Sequence, residues 1–180
     1  MSNIPNLLTA IRLLLVPVLM YLLYLGHFSA ALYLIIFMGL SDAVDGFLAK
    51  KLNCISRFGG FFDPVCDKMM LVGATVMLAY IDLLPVWLVL LIVARDLIIV
   101  IGGGAYYLYI EQFLAAPSII SKVNTFFQLL LTVIVIYSQI NFVPQQWISG
   151  LITVVTVTTV LSGVGYIWIW GRNAIKASAR

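Results

Sequence analysis

Asp42-Ala43-Val44-Asp45-Gly46-Phe47-Leu48-Ala49-Lys50 and, after eight intervening residues, Gly59-Gly60-Phe61-Phe62-Asp63-Pro64-Val65-Cys66-Asp67 hold four of the seven acidic residues of the chain. They lie in strongly apolar surroundings. A carboxylate at the centre of a bilayer costs at least about 2.5–3.5 kcal/mol on insertion scales, and four close together also repel one another. Their spacing points to what offsets that cost. Asp42 and Asp45 stand three apart and Asp63 and Asp67 four apart, so each pair shares one face of a helix. The pairs flank a basic segment, 50–57, which carries Lys50, Lys51 and Arg57, and this predicts a helical hairpin. At a rise of about 1.5 Å per residue, Asp42 lies about 12 Å below Lys50, and Asp63 lies at a similar small depth in the next helix. The carboxylates are expected to converge near one membrane surface. All-oxygen ligands favour hard cations such as magnesium, manganese or calcium, and four carboxylates suffice for two ions. Two other readings of the same acids stay open: a polar interior in which they pair with Lys50, Lys51, Arg57 and Lys68, and an ion or proton pathway, as in a metal-ion transporter.

The rest of the chain explains why these acids stand out. Of 180 residues, 63% are hydrophobic and 9% charged, and the mean hydropathy is +1.12. A soluble domain carries about 25% charged residues, so this composition excludes a water-soluble surface and predicts a single domain in lipid. A membrane helix needs about 20 mostly apolar residues, and lipid leaves the helix as the natural structure for such stretches. Six are expected, over 7–25, 29–50, 58–80, 84–109, 119–139 and 147–171. The fold class is therefore all-α, a polytopic membrane protein with six transmembrane helices. The connections at 26–28, 81–85 and 140–146 contain no Lys or Arg, whereas 50–57 and the segment after the sixth span do. The positive-inside rule then puts both termini and the 50–57 loop in the cytoplasm. The first residues lack the pattern of a cleaved signal peptide. The expected setting is a bacterial cytoplasmic membrane, with a trimmed organelle protein as the alternative. Trp87, Trp147, Trp168 and Trp170 suit the membrane interfaces.

The quoted stretch resembles the motif of the CDP-alcohol phosphotransferase family, DxxDGxxAR(x)8GxxxDxxxD. Seven of its eight fixed positions match; Lys50 stands where the family has Arg, keeping the charge but losing the planar fork that grips phosphate bidentately. The resemblance implies a six-helix membrane fold, a homodimer, a divalent metal (Mg2+ or Mn2+), and transfer of a phosphatidyl group from CDP-diacylglycerol to an alcohol with release of CMP. It also implies that Asp42, Asp45 and Asp63 bind metal on the donor diphosphate, with Asp67 completing the site and acting as general base. Bound cations would let an acid-lined pocket accept a diphosphate. Gly46, Ala49 and Gly59 lack bulk, which allows either the nucleotide or a neighbouring helix to approach.

Further segments are similar to bacterial phosphatidylglycerophosphate synthases and to cardiolipin synthases of the same family: Asn3-Ile4-Pro5-Asn6 through Arg12, Asp63-Pro64-Val65-Cys66-Asp67-Lys68, and Ala94-Arg95-Asp96. Ile120-Ser121-Lys122-Val123-Asn124-Thr125 resembles the eukaryotic-type cardiolipin synthases most, and phosphatidylglycerophosphate synthases typically carry a second Lys where this chain has Asn124. Arg12, Arg95 and Lys122 are candidate contacts for the acceptor phosphate, with an internal Arg95–Asp96 ion pair as the other reading of Arg95. The favoured acceptor is phosphatidylglycerol, and the alternative is glycerol 3-phosphate. No nucleic-acid recognition is expected beyond the cytidine of the donor. Cys54 and Cys66 match no zinc spacing and read as small buried side chains. Gly102-Gly103-Gly104 lies in an apolar span without the Lys-Ser/Thr of a phosphate loop, which suggests close helix packing or a dimer contact.

Overall fold

The computed structural model describes the backbone of residues 3–51, 59–110 and 119–178 and, within these, the side chains of residues 11, 13–41, 68–101 and 119–168. The secondary structure among the described residues is entirely helical: α1 (Asn3–Tyr24), α2 (Phe28–Lys51), α3 (Gly59–Tyr80), α4 (Val86–Ile110), α5 (Ile119–Ser138) and α6 (Gln145–Ser178). These agree with the six expected apolar stretches to within a few residues, apart from two ends. α1 starts at Asn3 because Pro5 falls in its first turn, where the missing N–H costs nothing. α6 runs through Gly171, where a stop was expected, and on to Ser178. One interior glycine costs only about 1 kcal/mol, and the Ala, Lys and Arg residues that follow are good helix formers.

By length and composition, two of these helices can cross a membrane among the described residues, Ile119–Ser138 and Gln145–Trp168. Leu13–Tyr24, Phe28–Ser41 and Lys68–Tyr80 form shorter apolar segments.

The chain divides into two compact units, Met1–Pro85 with Thr132–Pro144, and Val86–Leu131 with Gln145–Arg180. In the first, α1 packs along α3 and α2. Leu19 and Leu23 of α1, Ile35 and Met38 of α2, and Ala74 and Leu78 of α3 are all essentially inaccessible. Where the outer solvent is apolar, helices associate by close packing more than by escape from water. Gly73 shows that closeness: a Cβ there would sit 3.3 Å from Val16 Cγ1 and 3.4 Å from Met20 Sδ. Further along, the rings of Tyr24 and Tyr80 lie 6.2 Å apart. Residues 16–20 meet residue 73 and residue 24 meets residue 80, so α1 and α3 run parallel, as the first and third members of an up-down-up arrangement must.

In the second unit α4 packs against α6, around Leu88, Ile92 and Val155. Polar side chains share this core. Arg95, Asn124, Gln128, Thr159 and Ser162 are all at most 3% exposed.

The turns after α1 and α3 use the same device. His27 N–H donates to Leu22 O (2.9 Å) and Gly26 N–H to Leu23 O (3.1 Å), the paired bonds of a Schellman cap. Leu83 N–H to Leu78 O (2.8 Å) and Asp82 N–H to Ala79 O (3.1 Å) repeat it. The left-handed position is held by Gly26 (φ 74°) in the first cap and by Asp82 (φ 60°) in the second. Glycine takes this conformation without a Cβ penalty, whereas other residues lose roughly 1–2 kcal/mol. Gly26→Ala is therefore expected to destabilise the protein by about 1 kcal/mol, and Asp82→Gly to stabilise it by up to a similar amount. Thermal unfolding in detergent micelles checks both signs.

Candidate functional site

The acid-bearing stretch falls at the adjoining ends of two helices. Asp42, Asp45, Gly46, Ala49 and Lys50 occupy the C-terminal part of α2, and Gly59, Asp63 and Asp67 the N-terminal part of α3. The backbone is helical at all of these positions, so the i,i+3 and i,i+4 spacings put each aspartate pair on one helix face. Their side chains lie outside the described residues, as do those of Arg12, Cys54, Cys66 and the 102–104 glycine run. Among the described residues no group of three or more His, Cys, Asp or Glu comes together. The donor set the chain offers a metal is thus four carboxylates on two sequential helices. That chemistry fits a hard divalent cation and not zinc, which prefers nitrogen and sulfur ligands.

Two of the candidate residues lie where the side chains are described. Arg95, near the middle of α4, is 3% exposed. An unpaired guanidinium could not stay there, because desolvating a charge costs several kcal/mol. Nη1 donates to Asp96 Oδ1 at 2.6 Å. Nη2 donates to Ser121 Oγ of α5 at 2.7 Å and to Ser162 Oγ of α6 at 2.6 Å, and Nε to Ser162 Oγ at 3.2 Å. The Arg95–Asp96 ion pair is therefore present, and it sits within a network that ties three helices together. Lys122 follows Ser121 in the chain and is exposed. One side of the network thus leads from a buried cation to an accessible one.

One turn further along α5, Asn124 is fully buried. Its Oδ1 accepts from Thr158 Oγ1 (2.7 Å) and Thr159 Oγ1 (2.9 Å) of α6, and its Nδ2 has no partner among the described residues. Ser121 with Ser162, and Asn124 with Thr158 and Thr159, fix an antiparallel α5–α6 register. Sequence reasoning did not single out Ser162, Thr158, Thr159 or Gln128. A signal for them exists: Ser121, Asn124 and Gln128 recur at i, i+3 and i+7 on α5, and Thr158 and Ser162 are four apart on α6. In helices this apolar, a polar stripe at helical period marks the face turned toward neighbours.

Comparison with known proteins meets this arrangement from a second side. The family described as CDP-alcohol phosphatidyltransferase matches residues 2–162. A Drosophila melanogaster protein named probable cardiolipin synthase (CMP-forming) is 31% identical over 183 aligned positions, covering 92% of this chain and 56% of the relative. Two bacterial proteins named CDP-diacylglycerol–glycerol-3-phosphate 3-phosphatidyltransferase are also similar. The one from Aquifex aeolicus is 34% identical, with 69% of this chain and 70% of the relative covered. The one from Rickettsia typhi is 29% identical, with 87% and 93% covered. The chain thus spans little more than half of the fly relative and nearly the whole of the rickettsial one. The family match takes in all four aspartates of the acid-bearing stretch, Arg95 and the Ser121–Asn124 segment, and the chain belongs to the CDP-alcohol phosphatidyltransferase family.

Proposed function

We propose that this protein transfers a phosphatidyl group from CDP-diacylglycerol to a glycerol-type alcohol, releasing CMP, with phosphatidylglycerol as acceptor and cardiolipin as product. The observation that carries this reading is the acidic motif, set on the adjoining ends of α2 and α3 and lying within the family match at residues 2–162. In the proposed reaction the acceptor hydroxyl oxygen forms a bond to the phosphorus that bears the diacylglycerol. The bond from that phosphorus to the CMP oxygen breaks, CMP leaves with the bonding pair, and the hydroxyl proton passes to the Asp67 carboxylate, a general base within the site.

Asp42, Asp45, Asp63 and Asp67 are the proposed ligands of Mg2+ or Mn2+, and four carboxylates suffice for two ions. Such cations supply charge neutralisation of the diphosphate and stabilise CMP as it departs. Lys50 is assigned to the same diphosphate, and Gly46, Ala49 and Gly59 to the close approach of nucleotide or helix. The parallel α1–α3 register, with residues 16–20 beside 73 and 24 beside 80, sets residue 12 of α1 at about the level of residues 67–69 of α3. That supports grouping Arg12 with the acids. Arg12, Arg95 and Lys122 are the proposed acceptor-phosphate contacts.

Membrane association follows from the apolar helices and the family. The six-span arrangement is a proposal. It is supported by six helices of 20 to 34 residues, about 30 Å or longer at 1.5 Å per residue. Large apolar side chains on their outer faces support it as well, among them Leu14, Tyr33, Leu90, Phe126 and Trp168. The proposed orientation has both termini and the active site facing the cytoplasm of a bacterial inner membrane, in keeping with the cationic 50–57 segment. The proposed assembly is a homodimer.

The choice of phosphatidylglycerol rests on charge. Among the residues of the second unit whose side chains are described the cations are Arg95 and Lys122, with Arg172 and Lys176 further along α6, and the neighbouring Asn124 is neutral and engaged by two threonines. A phosphodiester carries one negative charge, whereas glycerol 3-phosphate carries nearly two and calls for more cations. Glycerol 3-phosphate remains the second reading, favoured by the names of the bacterial relatives.

The test is an acceptor panel on the purified protein in detergent with CDP-diacylglycerol. Cardiolipin should form with phosphatidylglycerol; product formed with glycerol 3-phosphate alone overturns the acceptor assignment. EDTA should abolish CMP release, and added Mg2+ or Mn2+ should restore it. Asp67→Asn should lower turnover by at least about a hundredfold while retaining much of the donor binding. A loss of donor binding equal to that of Asp42→Ala would remove the separate base role.

A further inference from the structure

We propose that Ser162 is a positioning residue, one that holds the Arg95 guanidinium so that its one uncommitted N–H meets a phosphate oxygen of the acceptor. This rests on the reading of Arg95 as an acceptor contact. A guanidinium has five N–H donors in a rigid plane. Four are accounted for: Nε on Ser162 Oγ, the two of Nη2 on Ser162 Oγ and Ser121 Oγ, and one of Nη1 on Asp96 Oδ1. The fifth, on Nη1, is left for an incoming anion.

Ser162 is the strongest constraint in this set. Its single oxygen receives two donors from one edge of the guanidinium, and a fork closed on one atom fixes the plane as well as the position. Ser162 is itself 1% exposed, so water does not compete for that oxygen. The next residue lies beside the aliphatic stem: a Cβ on Gly163 would sit 3.7 Å from Arg95 Cγ, an ordinary van der Waals contact. α6 thus lies against both the head and the stem of Arg95.

The chemistry of the hydroxyl matters as much as its place. A second carboxylate could hold the guanidinium as firmly, but it would add a negative charge where an anionic phosphodiester must arrive. Asp96 already offsets the Arg95 charge in the resting protein, so the remaining contacts must orient the group without adding further negative charge. Ser121 and Ser162 do so. A free arginine side chain has many rotamers, and a seat formed before the acceptor binds removes the cost of ordering it from the binding step.

The full chain in detergent micelles with Mg2+ tests this, with CMP release measured against phosphatidylglycerol at fixed CDP-diacylglycerol and the reverse. Ser162→Ala should raise the acceptor KM about tenfold, the loss of roughly one well-made charged hydrogen bond, and leave the donor KM unchanged. Ser162→Thr should restore the acceptor KM. Ser162→Cys, which keeps the volume with a weaker acceptor, should fall between, and it stands in if the alanine variant does not fold. Arg95→Lys should raise the acceptor KM at least as much, and Ser162→Ala should add little in that background. An unchanged acceptor KM in Ser162→Ala, or an equal loss toward both substrates together with a lower melting temperature, overturns the proposal in favour of a purely structural clamp. If Arg95→Lys leaves the acceptor KM unchanged, the acceptor reading of Arg95 itself fails, and the Ser162 proposal with it.

Discussion

A charge inside an apolar helical protein persists only where something meets it, because lipid offers neither dielectric screening nor hydrogen bonds. Arg95 shows the rule at full resolution: a guanidinium 3% exposed, met by the neighbouring carboxylate and by hydroxyls from two other helices. The same requirement bears on the four aspartates of α2 and α3, where like charges gather along a stretch that also carries Lys50, Lys51, Arg57 and Lys68. In the proposed reaction a divalent metal would be the counter-charge, since a diphosphate would be repelled by a field of bare carboxylates.

The two compact units divide this labour. The first brings α1, α2 and α3 together through close apolar contacts, with Gly73 letting α1 approach and glycine or aspartate caps closing the turns. It supplies the acid-bearing helix ends. The second packs α4, α5 and α6 around a polar ladder, Arg95 with Ser121 and Ser162, then Asn124 with Thr158 and Thr159. Its bonds set helix register and add neutral hydroxyl partners to the Arg95–Asp96 ion pair.

Much of this can be read from sequence because of the background against which it is written. In a chain with 9% charged residues, the spacing of Asp42, Asp45, Asp63 and Asp67 stands out, and so do the helix breaks at Gly26 and Asp82, where the structure places left-handed residues. The end of α6 was harder. A glycine before helix-forming residues stops a helix only when the following turn requires it, and here α6 continues to Ser178. The partners of Arg95 were harder still. Serine and threonine are ordinary residues of membrane helices, and whether Ser162 faces lipid or a guanidinium depends on the packing of α4 on α6, which no local pattern specifies. For Arg95, sequence left two roles open. The structure supplies the ion pair and the two serine contacts, and leaves one N–H of Nη1 without a partner among the described residues.

The account stands on the claim that the aspartate quartet is a metal site. Mn2+ titration of the purified protein in detergent, followed by electron paramagnetic resonance, measures this without reference to any acceptor. Saturable Mn2+ binding that disappears when Asp42, Asp45, Asp63 and Asp67 are replaced together by Asn, in a protein that remains folded, is the predicted result. Equal Mn2+ binding by the folded variant, or none by the wild type with CDP-diacylglycerol present, would contradict it.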